Sequence, residues 1–277
     1  MSDKKTLDLS IIIPFKNHSD LTIACLASIK QYANPVKEVL IVSNNSSDEE
    51  LQAVKAFAKV LENAKVIVYN HPFNFQTLNN WAIKQAIGKV VLLLNNDIVL
   101  TDNSKDIFSA MYIKSVEKTT GAVGCTLLYE DRKTIQHAGV YLVPGGTADH
   151  LYIGKKLKTI IDDTGSRFDI TKSLRVSAVT AAALMVEKNK FDQIGGMDNN
   201  FIVCGGDVDL CLRLGEHGYE NYVIGTQHGT MIHKESRTRS VSNVPYVDFC
   251  ESYKSYVKHF NINTGDVYLP WKEVTEN

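Results

Sequence analysis

The chain has 277 residues, 44% hydrophobic and 22% charged, and its 30 basic and 31 acidic side chains leave a net charge of -1. That is ample material for one large core, and the charge balance gives no support to general binding of nucleic acid or anionic membranes. No apolar run approaches the roughly 18 residues of a membrane span. Met1 to Asp8 is short and polar, unlike a signal peptide. Five scattered cysteines (Cys25, Cys125, Cys204, Cys211, Cys250) form no CxxC pair and read as reduced thiols. The expectation is a cytoplasmic chain, with peripheral association at the membrane's inner face left open.

Leu9 to Pro14 reads as a buried strand, ended by a proline that cannot donate to a ladder. Leu21, Ala24, Cys25, Ser28 and Ile29 line one face of a helix begun by Ser19 or Asp20. Val39 to Val42 is a second strand, stopped by the polar turn Ser43 to Ser46. Ser47 to Glu50 has the spacing of a capping box, and Leu51, Val54, Ala58 and Leu61 make that helix's buried stripe. Val66 to Tyr69 (strand), Thr77 to Ile87 (helix) and Val90 to Leu94 (strand) follow. Strands alternating with helices predict right-handed βαβ units and a parallel sheet, with ligands beyond the C-terminal strand ends.

Beyond about residue 120 the pattern changes. Ala122 to Tyr129, Ile135 to Val143 and Val176 to Val186 read as strands, and Gly145 to Thr171 as a mobile loop. Asp207 to His217 reads as a helix stopped by Gly218, and Val247 to Phe260 as a final amphipathic helix. The expected organisation is a single domain over 1–277. Its nucleotide-binding half covers about 1–120, its acceptor-binding half about 121–240, and a C-terminal helical segment about 241–277.

Three constellations could carry chemistry. Asn95-Asn96-Asp97 closes an apolar strand, where an aspartate can ligate a hard divalent cation that binds a diphosphate; the same tripeptide also reads as a polar turn. In Gly205-Gly206-Asp207-Val208-Asp209 two carboxylates two residues apart face different sides of a helix start. Asp207 there could be a general base or a helix cap. In His233-Lys234-Glu235-Ser236-Arg237-Thr238-Arg239 the imidazole could ligate a metal, and Lys234, Arg237 and Arg239 could neutralise phosphate. An ordinary polar residue beside a solvated basic run is the competing account. The chain has no P-loop, GxGxxG, GxSxG or HExxH.

From Leu9 to Arg239 the sequence resembles glycosyltransferase family 2, inverting enzymes with a GT-A fold. The resemblance rests on Leu9-Ser-Ile-Ile-Ile-Pro-Phe-Lys-Asn17, Ile41-Val-Ser-Asn-Asn-Ser-Ser-Asp48, Phe73-Asn-Phe-Gln-Thr-Leu-Asn-Asn80 and Leu94-Asn-Asn-Asp97. It continues through Gly195-Gly-Met-Asp198, Gly206-Asp-Val-Asp-Leu-Cys211 and His233-Lys-Glu-Ser236. Ile135-Gln-His-Ala-Gly139 is similar to bacterial members that build O-antigen, capsule or related surface glycans.

The resemblance implies a Rossmann-like nucleotide-binding sheet, a mixed-sheet acceptor-binding half, and a divalent metal, Mn2+ or Mg2+. Asp97 and His233 are implied as metal ligands and Asp207 as catalytic base. Pro14, Phe15, Asn17, Ser43, Asn45, Asn80, Asn95, Asn96, Asp97, Lys234 and Arg237 are implied on the nucleotide-sugar side, with Gly206 and Asp209 on the acceptor side. The implied partners are a nucleotide-sugar donor and a glycan, lipid-linked or protein-linked acceptor, without nucleic acid. Three positions depart from the family pattern: Ser43 replaces an aspartate, Asn95 opens the DxD-like motif, and Gly206 precedes the base. A nucleotidyltransferase would bring a Gly-rich loop near the first strand, whereas Pro14-Phe15-Lys16-Asn17 has the lysine without the glycines. A catalytically inactive nucleotide-sugar-binding homologue is the remaining alternative.

Overall fold

The computed structural model of this chain describes residues 5–144, 147–163, 167–234, 246–259 and 265–269. The first ninety residues alternate as the apolar pattern predicts: β1 (Leu7–Phe15), α1 (Ser19–Tyr32), β2 (Val36–Ser43), α2 (Asp48–Ala58), β3 (Ala64–Val68), α3 (Phe75–Gln85) and β4 (Val90–Leu94). Then come β5 (Ile98–Val99), α4 (Ile107–Ser115), β6 (Thr120–Cys125), β7 (Leu127–Leu128), β8 (Ile135–His137), β9 (Val140–Val143), β10 (Thr147–His150) and α5 (Leu157–Asp162). The rest is β11 (Leu174–Val176), β12 (Ala183–Glu187), α6 (Lys188–Gln193), α7 (Gly206–Glu216), β13 (Glu220–Ile224), β14 (Met231–His233) and α8 (Tyr246–Lys258).

The main sheet has eight strands in the order β11-β13-β6-β12-β4-β1-β2-β3. β1 runs parallel to both β2 and β4, and β2 to β3, while β12 is antiparallel to both β4 and β6. Strands from beyond residue 120 therefore enter the sheet built by the first ninety. A four-stranded sheet, β5-β14-β7-β8, and the β9-β10 hairpin complete the strands.

The near-continuous apolar strands are explained by cover on both faces. Ile12, Val91 and Leu93 pack with Leu78, Ala82 and Ile83 of α3 and Leu210 and Leu214 of α7. Ile11, Ile13, Leu92 and Leu94 face the opposite way, onto Cys25, Leu26 and Ile29 of α1, Val54 of α2, and Phe108 and Met111 of α4.

Several expectations are corrected. Ala122 to Tyr129 divides at Thr126 because β6 stays in the main sheet while β7 joins the second. Ile135 to Val143 breaks at Gly139, whose φ of 119° suits glycine. Val176 to Val186 is two strands separated by residues 177–182. The stretch from Gly145 to Thr171, expected as a loop, carries β10 and α5 and buries Leu151, Tyr152, Phe168 and Ile170; residues 145–146 and 164–166 lie outside the described residues. The capping box at α2 is half made. Ser47 accepts from Glu50 N at 3.4 Å, but the Glu50 carboxylate turns away to Ser19 N of α1 at 2.6 Å.

Two buried polar knots hold these layers. Ser10 Oγ donates to Glu38 Oε1 at 2.5 Å and accepts from Gly88 N at 2.8 Å, and Ile87 N donates to the same Glu38 oxygen at 2.6 Å. Asp209, with no exposed surface, anchors α8: Oδ2 meets Arg213 Nε at 2.8 Å, and Oδ1 meets Lys258 Nζ at 2.7 Å and His259 Nε2 at 2.8 Å. Burial alone would raise the Asp209 pKa, but the bonds from His259, Lys258 and Arg213 outweigh it and pull it from 3.8 to about 2.

A methyl group at Gly88 would come within 2.6 Å of Ser10 N and 2.9 Å of Leu9 C, both backbone atoms. Gly88→Ala should therefore cost roughly 1–3 kcal/mol, read as a lower urea midpoint with an unchanged slope. Asp209→Asn breaks a buried ion pair and should cost about 3 kcal/mol at neutral pH. Because the folded-state pKa is depressed, the wild-type advantage is complete above 3.8 and fades as pH falls toward 2. Denaturation of both proteins between pH 6 and 2 should show the two curves converging; a constant gap would refute the assignment.

Candidate active site

The C-terminal ends of β1, β2 and β4 open on one edge of the sheet, and the turns that leave them are tightly held. Asn17, His18 and Asn45 adopt left-handed backbone, with φ of 53°, 49° and 53°, which Asn tolerates better than most residues. Asn17 Oδ1 accepts from Ser47 N at 2.9 Å, and Asn17 N donates to Ser46 Oγ at 3.0 Å, latching the turn after β1 to the turn after β2. Asn45 Nδ2 donates to His71 O at 2.8 Å. Pro14 is half-buried, while Phe15 and Ser43 are buried as cross-strand neighbours. The structure thus brings the first-half candidates to one edge, with Asn17 and Asn45 already engaged in shaping it. Asn80, on α3, is engaged with the second half of the chain: its amide accepts from Met197 N at 2.9 Å and donates to Met197 O at 2.8 Å, tying α3 to the Gly195-to-Asp198 segment.

Asn95, Asn96 and Asp97 turn the chain from β4 into β5. Asn95 N donates to Ala182 O at 2.9 Å, and Asn96 Nδ2 to Thr22 Oγ1 of α1 at 3.0 Å. β14 pairs antiparallel to β5 with His233 opposite Ile98, which carries the imidazole to Asp97. Asp97 Oδ1 lies 3.1 Å from His233 Nε2, and Lys234 N donates to Asp97 O at 3.1 Å. Lys234 is half-buried beside this pair, whereas Arg237 lies outside the described residues.

The imidazole is oriented from behind. Gln136 Oε1 stands 2.7 Å from His233 Nδ1, placed to accept a hydrogen bond from an Nδ1–H tautomer, whose lone pair would then lie on Nε2. Asn95 Nδ2, a donor, approaches that same Nε2 at 3.4 Å, which agrees with this tautomer. Asp97 Oδ1 is buried without a hydrogen-bond partner, so in that tautomer an acceptor and a lone pair face one another. Adjacent ligands of an octahedral cation with ~2.1 Å bonds stand about 3.0 Å apart. The pair therefore fits a hard divalent ion with an imidazole and a carboxylate as ligands. Among the described residues no cluster of three or more His, Cys, Asp or Glu side chains is placed to hold a metal.

Asp207 is the second residue of α7, which Gly205 introduces with a φ of 73°. Its two oxygens accept from separate backbone groups, Oδ2 from Ala181 N at 3.0 Å and Oδ1 from Val208 N at 2.9 Å. Each oxygen keeps a further lone pair, and the side chain is only half-buried. Ala181 and Ala182 thus join the two carboxylate motifs, one holding Asp207 and the other Asn95. Gly206 is buried against the Gln76 amide, which a Cβ would meet within 2.5 Å. Asp209, expected on the acceptor side, has no surface to offer an acceptor and serves α8 instead.

Three residues with a place in this arrangement escaped the sequence reading. Gln136 sits within Ile135 to Gly139 but bears no spacing to His233 that a sequence displays. The 181–182 dipeptide contributes only backbone atoms and has no side-chain signature at all.

Residues 10–125 match the family model Glycosyl transferase family 2. The chain is 36% identical over 252 residues to the O-antigen biosynthesis protein RfbC of Myxococcus xanthus, covering 91% of this chain and 19% of that protein. Among solved structures, the mannosyltransferase PcManGT of Pyrobaculum calidifontis, in complex with GDP-Man and Mn2+, superposes with a TM-score of 0.59 at 15% identity, covering 84% of this chain and 59% of that one. GalNAc-T7 with UDP, GalNAc and Mn2+ superposes with a TM-score of 0.69 at 12% identity, covering 92% and 48%. The chain thus spans a minor part of its curated relative, while the fold is shared over most of its own length. Residues 10–125 are thus a glycosyltransferase family 2 region, set in a GT-A architecture that extends over most of the chain.

Proposed function

We propose that this chain is an inverting glycosyltransferase module, working as one catalytic domain, that moves a sugar from a nucleotide-diphosphate donor to a hydroxyl of a glycan acceptor. The observation that carries the reading is the Asp97–His233 pair at 3.1 Å, with an unpartnered carboxylate oxygen facing the imidazole lone pair that Gln136 exposes. The name of the Myxococcus xanthus relative supports a role in O-antigen assembly, and the acceptor class we propose is a glycan, lipid-linked or protein-linked. The nucleotides and Mn2+ in the two solved neighbours support the donor class and the metal. UDP-hexoses, UDP-N-acetylhexosamines and dTDP-rhamnose are the donors to test. No helix among the described residues is long and apolar enough to cross a membrane. A lipid-linked acceptor would be met from the cytoplasmic face.

In this reading Asp97 and His233 hold a divalent cation, Mn2+ or Mg2+. Bound there, it would neutralise charge on the donor diphosphate as that group departs. Lys234, and Arg237 beyond the described residues, add positive charge on the same side. Asp207 takes the proton from the acceptor hydroxyl through the lone pairs that Ala181 N and Val208 N leave free. The hydroxyl oxygen forms its bond to the anomeric carbon while the bond to the diphosphate breaks on the opposite face. The electron pair leaves with the nucleoside diphosphate, and the configuration inverts. The turns at Asn17 and Asn45 fix the sheet edge against which the nucleotide would lie.

Asp207→Asn should lower transfer at least 100-fold while Mn2+-dependent binding of the donor nucleotide persists; loss of both together would make Asp207 a structural residue. Asp97→Ala should abolish the thermal stabilisation that UDP gives with Mn2+. If that variant kept its full metal-stimulated turnover, the metal assignment would be wrong. A screen of nucleotide sugars for release of nucleoside diphosphate separates an enzyme from a binding-only homologue, which would release none.

A further inference from the structure

The segment that leads into α7 is gripped from two sides. From α3 and the residue before it, Asn74 Nδ2 donates to Asn199 O at 3.0 Å, Phe75 N donates to Ile202 O at 2.8 Å, and Asn80 holds Met197. From α8, Lys254 Nζ donates to Asn200 O at 3.1 Å, and Lys258 Nζ pairs with Asp198 at 2.5 Å and with Asp209 at 2.7 Å.

Between those lysines and α7 lies Glu251, only 1% exposed. Its carboxylate accepts from three consecutive backbone N–H groups: Ile202 N, Val203 N at 2.9 Å and Cys204 N at 2.7 Å. Successive N–H groups that converge in this way form an anion-binding concavity, and here the anion is supplied by the chain itself. The next residue, Gly205, turns the backbone into α7, and Asp207 follows two positions later. Gly205 itself runs close to α8, where a Cβ would sit 3.7 Å from Glu251 O.

We infer that Glu251 is a positioning residue for Asp207: by gathering the N–H groups of 202–204, it fixes where α7 begins and hence where the Asp207 carboxylate points. The inference rests on Asp207 acting as the base. The N-cap of α7 is a glycine without a capping side chain, so Glu251 takes up the N–H groups just before it while Gln76 packs on Gly206. Asp207 is held at only two points, Ala181 N and Val208 N, and the latter moves with the helix. A rotation of the helix start would break the bond to Ala181 N and swing the carboxylate off the acceptor. Displacements of about 1 Å in catalytic groups can cost about 100-fold in rate.

The experiment compares the wild type with Glu251→Ala and Glu251→Gln in the full chain, well below the unfolding temperature of each. Three readouts are taken: amide hydrogen exchange by segment, the thermal shift given by Mn2+ with UDP, and kcat and KM for whichever nucleotide sugar the wild type turns over. Glu251→Ala should accelerate exchange at 202–209 and leave the β1–β4 amides protected. Its Mn2+–UDP shift should persist, and kcat should fall about 100-fold with the donor KM within about twofold. Glu251→Gln keeps one acceptor oxygen and should lie between Ala and wild type. Unchanged exchange at 202–209, or full kcat despite faster exchange, would overturn the inference. So would a loss of protection spread over the whole sheet, the mark of a merely structural residue. A wild type without turnover on any nucleotide sugar would sink the transferase reading itself, whatever the exchange pattern shows at Glu251.

Discussion

The placement of β12 is the constraint from which the rest of the arrangement follows. It lies antiparallel to β4, with Ala183 opposite Leu94 and Glu187 opposite Val90, and it also pairs with β6. Without it the parallel strands would end at an open β4 edge, and the ladder would not continue into the strands from beyond residue 120. With it, Ala182 O stands opposite Asn95 N, and Ala181 N reaches Asp207. A purely structural pairing therefore brings a strand-end turn and a distant helix start to one place. Ala183 through Val186 are almost fully buried, so the position is secured by packing as well as by the ladder.

A second, smaller sheet performs the same service for the imidazole. β14 is held between β5 and β7, and the connection from β6 to β7 passes from one sheet to the other within three residues. That short crossing places Leu127 and Leu128 beside Met231 and Ile232, and His233 beside the turn at Asp97. Gln136, from the outer strand β8, then reaches across to fix the ring. Each strand contributes one or two residues, so no single segment contains the site.

How much of this the sequence displays depends on the range of the interactions. The βαβ units up to β4 were legible because Leu9 to Pro14, Val39 to Val42 and Val90 to Leu94 carry a local apolar signal between clear turn residues. The strands after residue 120 were merged into runs that are too long, because breaks at Thr126, Gly139 and residues 177–182 come from strands changing sheets rather than from a change in hydrophobicity. α4 and β13 were passed over: Ile107 to Ser115 is apolar on most sides, and Glu220 to Ile224 is short. For the site, Asp97, Asp207 and His233 were legible as residue types at strand and helix ends. The commitments of Asn80 to Met197, Asp209 to α8, and Gln136 to His233 were not, since each spans dozens of residues and leaves no periodic trace.

His233 belongs to a strand of three residues whose neighbours in sequence, Ile232 and Met231, are buried and apolar. Along a strand, consecutive side chains point to opposite faces. The chemistry at Asp97 therefore depends on a parity: the number of residues between the end of β13 and β14 must put an imidazole, and not an isoleucine, on the inner face. A one-residue slip of β14 against β5 would exchange the two without altering composition or charge. A descendant of this chain could vary freely at the exposed Gln227, while Gly225, Gly229 and the length of the connection stay fixed, since a Cβ at either glycine would strike the backbone of Thr171 or Asn103.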